Sequence, residues 1–169
     1  MKLSVIYAQD ANGAIGLAGA EPLPWNFSED LQRFKELTQG KPIIMGNNTF
    51  ESLPRVLPSR FHFVVTRKKR LIGLGKLDQV QFIGSVGEAV LAAEAMGAEE
   101  AFIIGGADII RRGLDMADTV YRTIVKRVVV EGKTVKVPAP GEDAVWDEYE
   151  RFLEVHVSDD LCFETWARM

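Results

Sequence analysis

Short apolar runs alternate along this chain with segments of helical periodicity, and that alternation constrains the fold more than any other feature. Candidate strands occupy residues 3–9, 41–46, 61–66, 80–83, 101–104, 118–125, 151–157 and 161–167; candidate helices occupy 28–38, 48–53, 86–97 and 107–113. Parallel neighbours need a long crossover between them, and a helix is the usual one. The pattern predicts an α/β fold with a mixed, mostly parallel sheet and helices on both faces. Only Ser158-Asp159-Asp160 separates the last two runs, so they read as a C-terminal antiparallel hairpin. The segment from Lys126 to Tyr149, rich in Pro, Gly and charge, reads as an extended surface excursion.

At 169 residues the chain suits a single domain, 1–169, with one core. The net charge of −4 argues against general nucleic-acid binding. The apolar start Leu3-Ser4-Val5-Ile6-Tyr7-Ala8 stops at Gln9-Asp10, too short for a signal peptide or a membrane span. Cys162 stands alone, so no disulfide forms within the chain, which fits a reducing cytoplasm. His62 and His156 each lie between apolar residues in strand-like runs and read as outward-facing structural residues. Two His and one Cys, read as dispersed along the sequence, predict no metal site.

One acid stands out. Ser28 is a good N-cap for the helix 28–38. At about 100° per residue, Asp30, Leu31, Phe34, Leu37 and Thr38 share a face, while Glu29, Gln32, Arg33, Lys35 and Glu36 take the other. A carboxylate inside an apolar stripe needs a partner or serves a ligand. A first-turn acid favoured by the helix dipole is the plainer alternative.

Other stretches are suggestive without being specific. Asn12 to Pro24, with Gly13, Gly16 and Gly19, reads either as a loop closing over a pocket or as a surface connection. Gly46, ending the run Pro42-Ile43-Ile44-Met45, precedes the helix start Asn47-Asn48-Thr49, where free N–H groups suit a phosphate. Thr66-Arg67-Lys68-Lys69-Arg70 is a basic run, fit for a phosphate or for solvent. Arg60 follows a Pro-bracketed loop and could fork a carboxylate. Ile104-Gly105-Gly106 ends a buried strand where backbone can approach a ligand closely.

These residues, together with Leu23-Pro24-Trp25-Asn26, Thr49-Phe50-Glu51-Ser52-Leu53, Leu57-Pro58-Ser59-Arg60, Thr123 and Cys162-Phe163-Glu164, resemble the dihydrofolate reductase family in order and spacing over nearly the whole chain. The resemblance implies an eight-stranded mixed sheet flanked by about four helices. It implies hydride transfer from NADPH to dihydrofolate, giving tetrahydrofolate for one-carbon and thymidylate metabolism, and binding of antifolates such as methotrexate. Asp30 would face the pterin, Thr123 would hydrogen-bond Asp30, and Trp25 would sit at the lid base and help position water. Ile6, Ala8 and Ile104 would contact the substrate, and Ser52, Leu53 and Leu57 would line the passage for the aminobenzoyl ring opposite Leu31 and Phe34. Arg60 would hold the α-carboxylate of the glutamate tail.

For the cofactor, the resemblance implies nicotinamide contacts from Ala8, Ile15 and Gly16. Gly46, Asn47, Asn48 and Thr49 would approach its phosphates, and Thr66, Arg67 and Lys68 the ribose 2′-phosphate. Ile104, a cis Gly105–Gly106 peptide, and Ala107, Asp108 and Ile109 would face the rest. Asn47, Ile110 and Lys133 depart from the family's usual basic, aromatic and acidic residues. A monomer without nucleic-acid or membrane partners is the default. Two rivals stay open: the riboflavin-pathway reductase that shares this fold, and a reductase fold kept only for binding.

Overall fold

Parallel strands, helical crossovers and a terminal hairpin are all present in the computed structural model, which describes residues 1–17, 27–69, 71–72, 78–127 and 134–169. The strands are β1 (Lys2–Gln9), β2 (Ala14–Leu17), β3 (Ile43–Gly46), β4 (His62–Val65), β5 (Val80–Ile83), β6 (Glu100–Gly105), β7 (Thr119–Val125), β8 (Thr134–Lys136), β9 (Tyr149–His156) and β10 (Leu161–Arg168). The helices are α1 (Ser28–Thr38), α2 (Asn47–Ser52), α3 (Val86–Ala95) and α4 (Ala107–Leu114). An 8-stranded sheet runs β5-β4-β3-β6-β1-β7-β10-β9, and β2 pairs with β8 in a 2-stranded sheet of its own. Every neighbour pair from β5 to β7 is parallel; β10 is antiparallel to both β7 and β9.

Each face of the sheet has its own core. Val5, Tyr7, Ile44, Phe63 and Ile103 pack with Ala89 and Ala93 of α3 and with Ile110 and Leu114 of α4. Their in-strand alternates, Ile6, Ile43, Met45, Val64 and Phe102, pack with Phe34 and Leu37 of α1 and Phe50 of α2. Residues alternate between faces along a strand, so a central strand buried on both sides is apolar throughout. Close helix–sheet packing explains Gly113: a Cβ there would lie 2.8 Å from Ile103 Cδ1 and 2.9 Å from Val5 Cγ2.

Four local expectations fail. Ser28 is inside α1 rather than its cap; Phe27 occupies the cap without a side-chain bond, and the Ser28 hydroxyl lies 3.3 Å from Glu29 Oε2. The segment from Lys126 to Tyr149 is not wholly a surface excursion, since Val137, Trp146 and Tyr149 are buried. The Trp146 ring lies 5.7 Å from Tyr149 and 5.2 Å from Trp166, and its Nε1 donates to the Pro138 carbonyl. Those anchors are isolated aromatics, so no periodic pattern reveals them. His62 is 0% exposed instead of facing outward, because β4 lies between β3 and β5. Arg33 is half-buried instead of facing solvent.

Candidate active site

The carboxyl ends of parallel strands in an open α/β sheet bound a crevice where ligands bind. Here those ends carry Ala8 on β1, Gly46 after Met45 on β3, Thr66 after β4, and Gly105 on β6. Ile6 and Ala8 pair in register with Tyr121 and Thr123 of β7, so these four side chains share the face that α1 covers. Thr123 is buried, and its hydroxyl lies 2.6 Å from Asp30 Oδ1. The acid in the apolar stripe therefore has its partner, supplied from 93 residues away in sequence. Burial pushes the Asp30 carboxyl above its ordinary value; the Thr123 hydrogen bond and the Arg33 charge oppose that rise.

Arg33 belongs to this group. Its Nη1 lies 3.4 Å from Thr123 Oγ1, and its Nη2 lies 3.3 Å from the Glu164 carbonyl and 3.4 Å from Thr165 Oγ1. The guanidinium also covers the Phe163 ring at 4.4 Å and the Tyr121 ring at 5.5 Å. The signal was available in sequence. Residues three apart in a helix are only about 60° apart around it, closer than Asp30 is to Leu31. Leu31, assigned to the inner stripe, is 56% exposed.

Phe34, Leu53, Leu57 and Ile104 converge on the core cluster that contains Ile6, forming an apolar wall beside Asp30. Ser52 is half-buried, and its hydroxyl donates to the Thr49 carbonyl at 2.7 Å. Arg60 lies at the end of this wall, 6% exposed, with its guanidinium 5.9 Å from the Phe34 ring centre. Among the described residues its buried Nε has no hydrogen-bond partner. Burial lowers the Arg60 pKa. A buried donor left unmatched is costly.

His62 holds the turn that carries Arg60 and was missed by sequence reading. Its ring Nε2 lies 3.0 Å from the Leu57 N–H, and its Nδ1 lies 3.0 Å from the Arg60 carbonyl. A His inside a parallel strand otherwise apolar on both faces is the signal that should have placed it inside.

The nucleotide-type residues gather at the neighbouring strand ends. The Gly105–Gly106 peptide is cis, and Gly105 takes φ +144°, a conformation that side chains disfavour. A Cβ on Gly105 would lie 3.3 Å from Thr49 Oγ1, and one on Gly46 would lie 3.4 Å from Ile109 Cγ1. Asn47 bonds to Glu51 Oε1 at 3.0 Å, Asn48 is exposed, and Ile15 is half-buried. Ala107 and Ile109 are buried in the first turn of α4, whereas Asp108 points outward and pairs with Arg111 at 3.3 Å. Thr66 is buried and accepts from the Lys68 N–H at 3.1 Å, leaving Arg67 and Lys68 exposed beside it. Gly16 pairs with Val135 at a register shift between β2 and β8. Trp25, with Leu23, Pro24 and Asn26, lies outside the described residues, as do residues 18–22, Arg70 and Lys133. Ile110 is buried in the core between α4 and the sheet.

His156 and Cys162 are not dispersed in space. The hairpin sets them opposite each other, and with Glu154 they bring three ligand-type atoms within 4.8 Å. Within the cluster His156 contacts Glu154 Oε1 at 2.8 Å, and its Nδ1 lies 3.0 Å from Lys126 Nζ.

A mostly parallel sheet, an acid held at its carboxyl edge and a side-chain-free Gly-Gly turn define an α/β enzyme that binds a nucleotide-type ligand across strand ends. Comparison with known proteins makes the class specific. The dihydrofolate reductase family model matches residues 2–168, and the chain belongs to that family. Dihydrofolate reductase type 8 of Escherichia coli is 41% identical over 137 residues, 79% of each chain. The dihydrofolate reductase of Neisseria meningitidis serogroup B is 38% identical over 153 residues, 89% of this chain and 87% of that one. A solved dihydrofolate reductase from Enterococcus faecalis, complexed with NADP(H) and RAB-propyl, superposes with a TM-score of 0.78 at 29% identity, covering 99% of this chain and 96% of the other. The activity is NADPH-dependent reduction of dihydrofolate to tetrahydrofolate.

Proposed function

We propose that Asp30 is the acid that faces the pterin, with Thr123 as its positioning partner. The observation carrying this reading is the 2.6 Å contact between Thr123 Oγ1 and a desolvated Asp30 carboxyl on the pocket face. Ionised, Asp30 can accept two hydrogen bonds from the amino-pyrimidine edge of the ring. Its negative charge also favours a proton on the ring nitrogen next to the hydride-accepting carbon, with water the carrier of that proton. Ile6, Ala8 and Ile104 hold the ring flat against the sheet; Phe34, Ser52, Leu53 and Leu57 flank the aminobenzoyl group, with Leu31 at the rim. Arg60 takes the α-carboxylate, and its unmatched Nε supports that role.

Gly46, Gly105 and Gly106 suit a cofactor cradle at the strand ends: a Cβ on any of them would meet Ile109 or Thr49, so backbone alone lines this stretch. Bound there, NADPH supplies the hydride, and the protein contributes alignment and a dry pocket. Ala8, Ile15 and Gly16 orient the nicotinamide; Asn47, Asn48 and Thr49 with Ala107, Asp108 and Ile109 hold the pyrophosphate side. Thr66, Arg67 and Lys68 recognise the 2′-phosphate, whose charge and geometry suit an Arg fork. For Trp25 the family resemblance supports a part in positioning water. The chain works as one domain and as a monomer, in the cytoplasm; among the described residues no helix is long and apolar enough to cross a membrane.

The test is the loss of reduced-nicotinamide absorbance with dihydrofolate, run with NADPH and NADH and with methotrexate as competitor. Methotrexate-sensitive oxidation that prefers NADPH is expected. Oxidation that depends on a ribosylated pyrimidine instead of dihydrofolate would move the chain to the riboflavin-pathway reductase. Binding of both ligands without turnover would leave a pure binding module.

A further inference from the structure

The turn that presents Arg60 is held in an unusual way. Ser59 sits at φ +61°, a left-handed conformation that residues with a Cβ adopt rarely and that surrounding contacts must hold. Two described contacts clamp the turn: the Gly40 N–H donates to the Ser59 carbonyl at 2.8 Å, and His62 reaches both Leu57 and Arg60. The amide at Leu57 can only donate, so Nε2 must be bare and accept. The remaining ring hydrogen is then on Nδ1, and it donates to the Arg60 carbonyl. One tautomer, neutral and Nδ1-protonated, satisfies both ends of the turn; the imidazolium cannot, because two hydrogens would meet at Leu57.

We infer that His62 is the positioning residue for Arg60: its neutral ring latches the turn 57–60 and so sets the guanidinium for the carboxylate tail of the substrate. The inference rests on Arg60 as the tail-binding residue proposed above. Burial holds the His62 pKa below its ordinary value; two backbone hydrogen bonds oppose that, and the Arg60 charge adds to it. Among the described residues, the other groups packed on the ring are neutral: the Phe50 ring from α2 at 6.3 Å, the Gln79 carbonyl bonded by the His62 N–H, and Ile43 of β3 in register. Arg60 is the charged group that acts on it.

The experiment compares two substrates, dihydrofolate and a methyl-substituted dihydropterin without the aminobenzoyl-glutamate tail. With His62→Leu, the KM for dihydrofolate should rise about tenfold, while kcat and the KM for the tail-less pterin stay within about twofold. His62→Gln, which keeps a donor and an acceptor, should recover part of the loss. Arg60→Gln is the reference. If Arg60→Gln leaves the dihydrofolate KM unchanged, the tail reading falls and the inference with it. If Arg60→Gln raises that KM and His62→Leu does not, Arg60 stands and the latch is wrong. Equal damage to both substrates would make His62 merely structural and would also overturn the inference. Should His62→Leu fail to fold, the wild-type enzyme decides: on acidification the dihydrofolate KM should rise relative to the tail-less KM, and His62→Gln should lose that His-dependent part. A ratio that titrates identically in both proteins rejects the latch.

Discussion

Two groups of buried charge lie on opposite faces of the same strands, separated by one residue of chain. On one face Arg122 donates to Glu164 Oε2 at 2.8 Å and also bonds Gln9 Oε1; Trp166 Nε1 adds a third donor to the group at 2.8 Å from the same carboxylate. Gln9 passes its own amide hydrogens to the Gly13 and Val137 carbonyls, each at 3.1 Å. On the other face, Thr123 turns to Asp30, whose carboxyl is desolvated by burial, and Arg60 keeps an unmatched Nε. The first group closes its charges on itself and ties β1, β7 and β10 together. The second leaves Arg60 Nε without a partner among the described residues. Burial and sign do not separate these two groups; how fully their charges are partnered does.

The sharpest break of this comparison is Asp30→Asn. Turnover near neutral pH should fall by about a hundredfold or more while NADPH still binds; near-normal turnover would remove Asp30 from the chemistry. The same variant tests the energetics. Because burial raises the folded pKa of Asp30, the wild-type side chain favours folding most below its unfolded pKa and loses that contribution as pH rises through the folded value. The stability advantage of Asp30→Asn in urea unfolding should therefore grow from acid to alkaline pH; a constant difference contradicts the desolvated state.

Glu164→Leu tests the closed group. It strands Arg122 in the interior and should cost about 3–5 kcal/mol in chemical denaturation, with turnover per folded molecule largely kept. A selective loss of kcat at unchanged stability would erase the distinction between the two faces. A smaller effect is expected at the exposed rim: Arg67→Ala should raise the KM for NADPH on the order of tenfold and leave NADH almost unaffected. Equal changes for both cofactors would remove Arg67 from the 2′-phosphate site. Arg33→Met is the finest probe, since it deletes a cation that lowers the Asp30 pKa. The Asp30 titration, followed by carboxyl-carbon NMR, should move upward; an unmoved titration would make Arg33 a packing residue between α1 and β10.

The legible parts of the fold are those written in periodicity. Helix 28–38 and strand 80–83 match the structure residue for residue, and the alternation of runs led directly to the parallel sheet and its hairpin. The short strands Ala14–Leu17 and Thr134–Lys136 were not legible, since three or four residues carry too little pattern and each is ordered by the other. The site divides the same way. Asp30 announced itself as an acid in an apolar stripe, and the family's motifs located Thr123, Arg60 and the glycines. Arg33 and His62 were misplaced because charge and ring nitrogens suggest water, whereas Phe163, Tyr121 and a backbone turn offered them partners indoors.

Sequence alone determined the fold class and the reductase family, and it marked Asp30 as an acid in an apolar stripe, because local periodicity and motif spacing are properties of the chain itself. Tertiary structure decided which polar groups are satisfied. Thr123 meets Asp30 across 93 residues, Arg122 meets Glu164 across 42, and Arg60 meets no partner at Nε; these outcomes depend on strand order and register, which bring together atoms that sequence keeps apart.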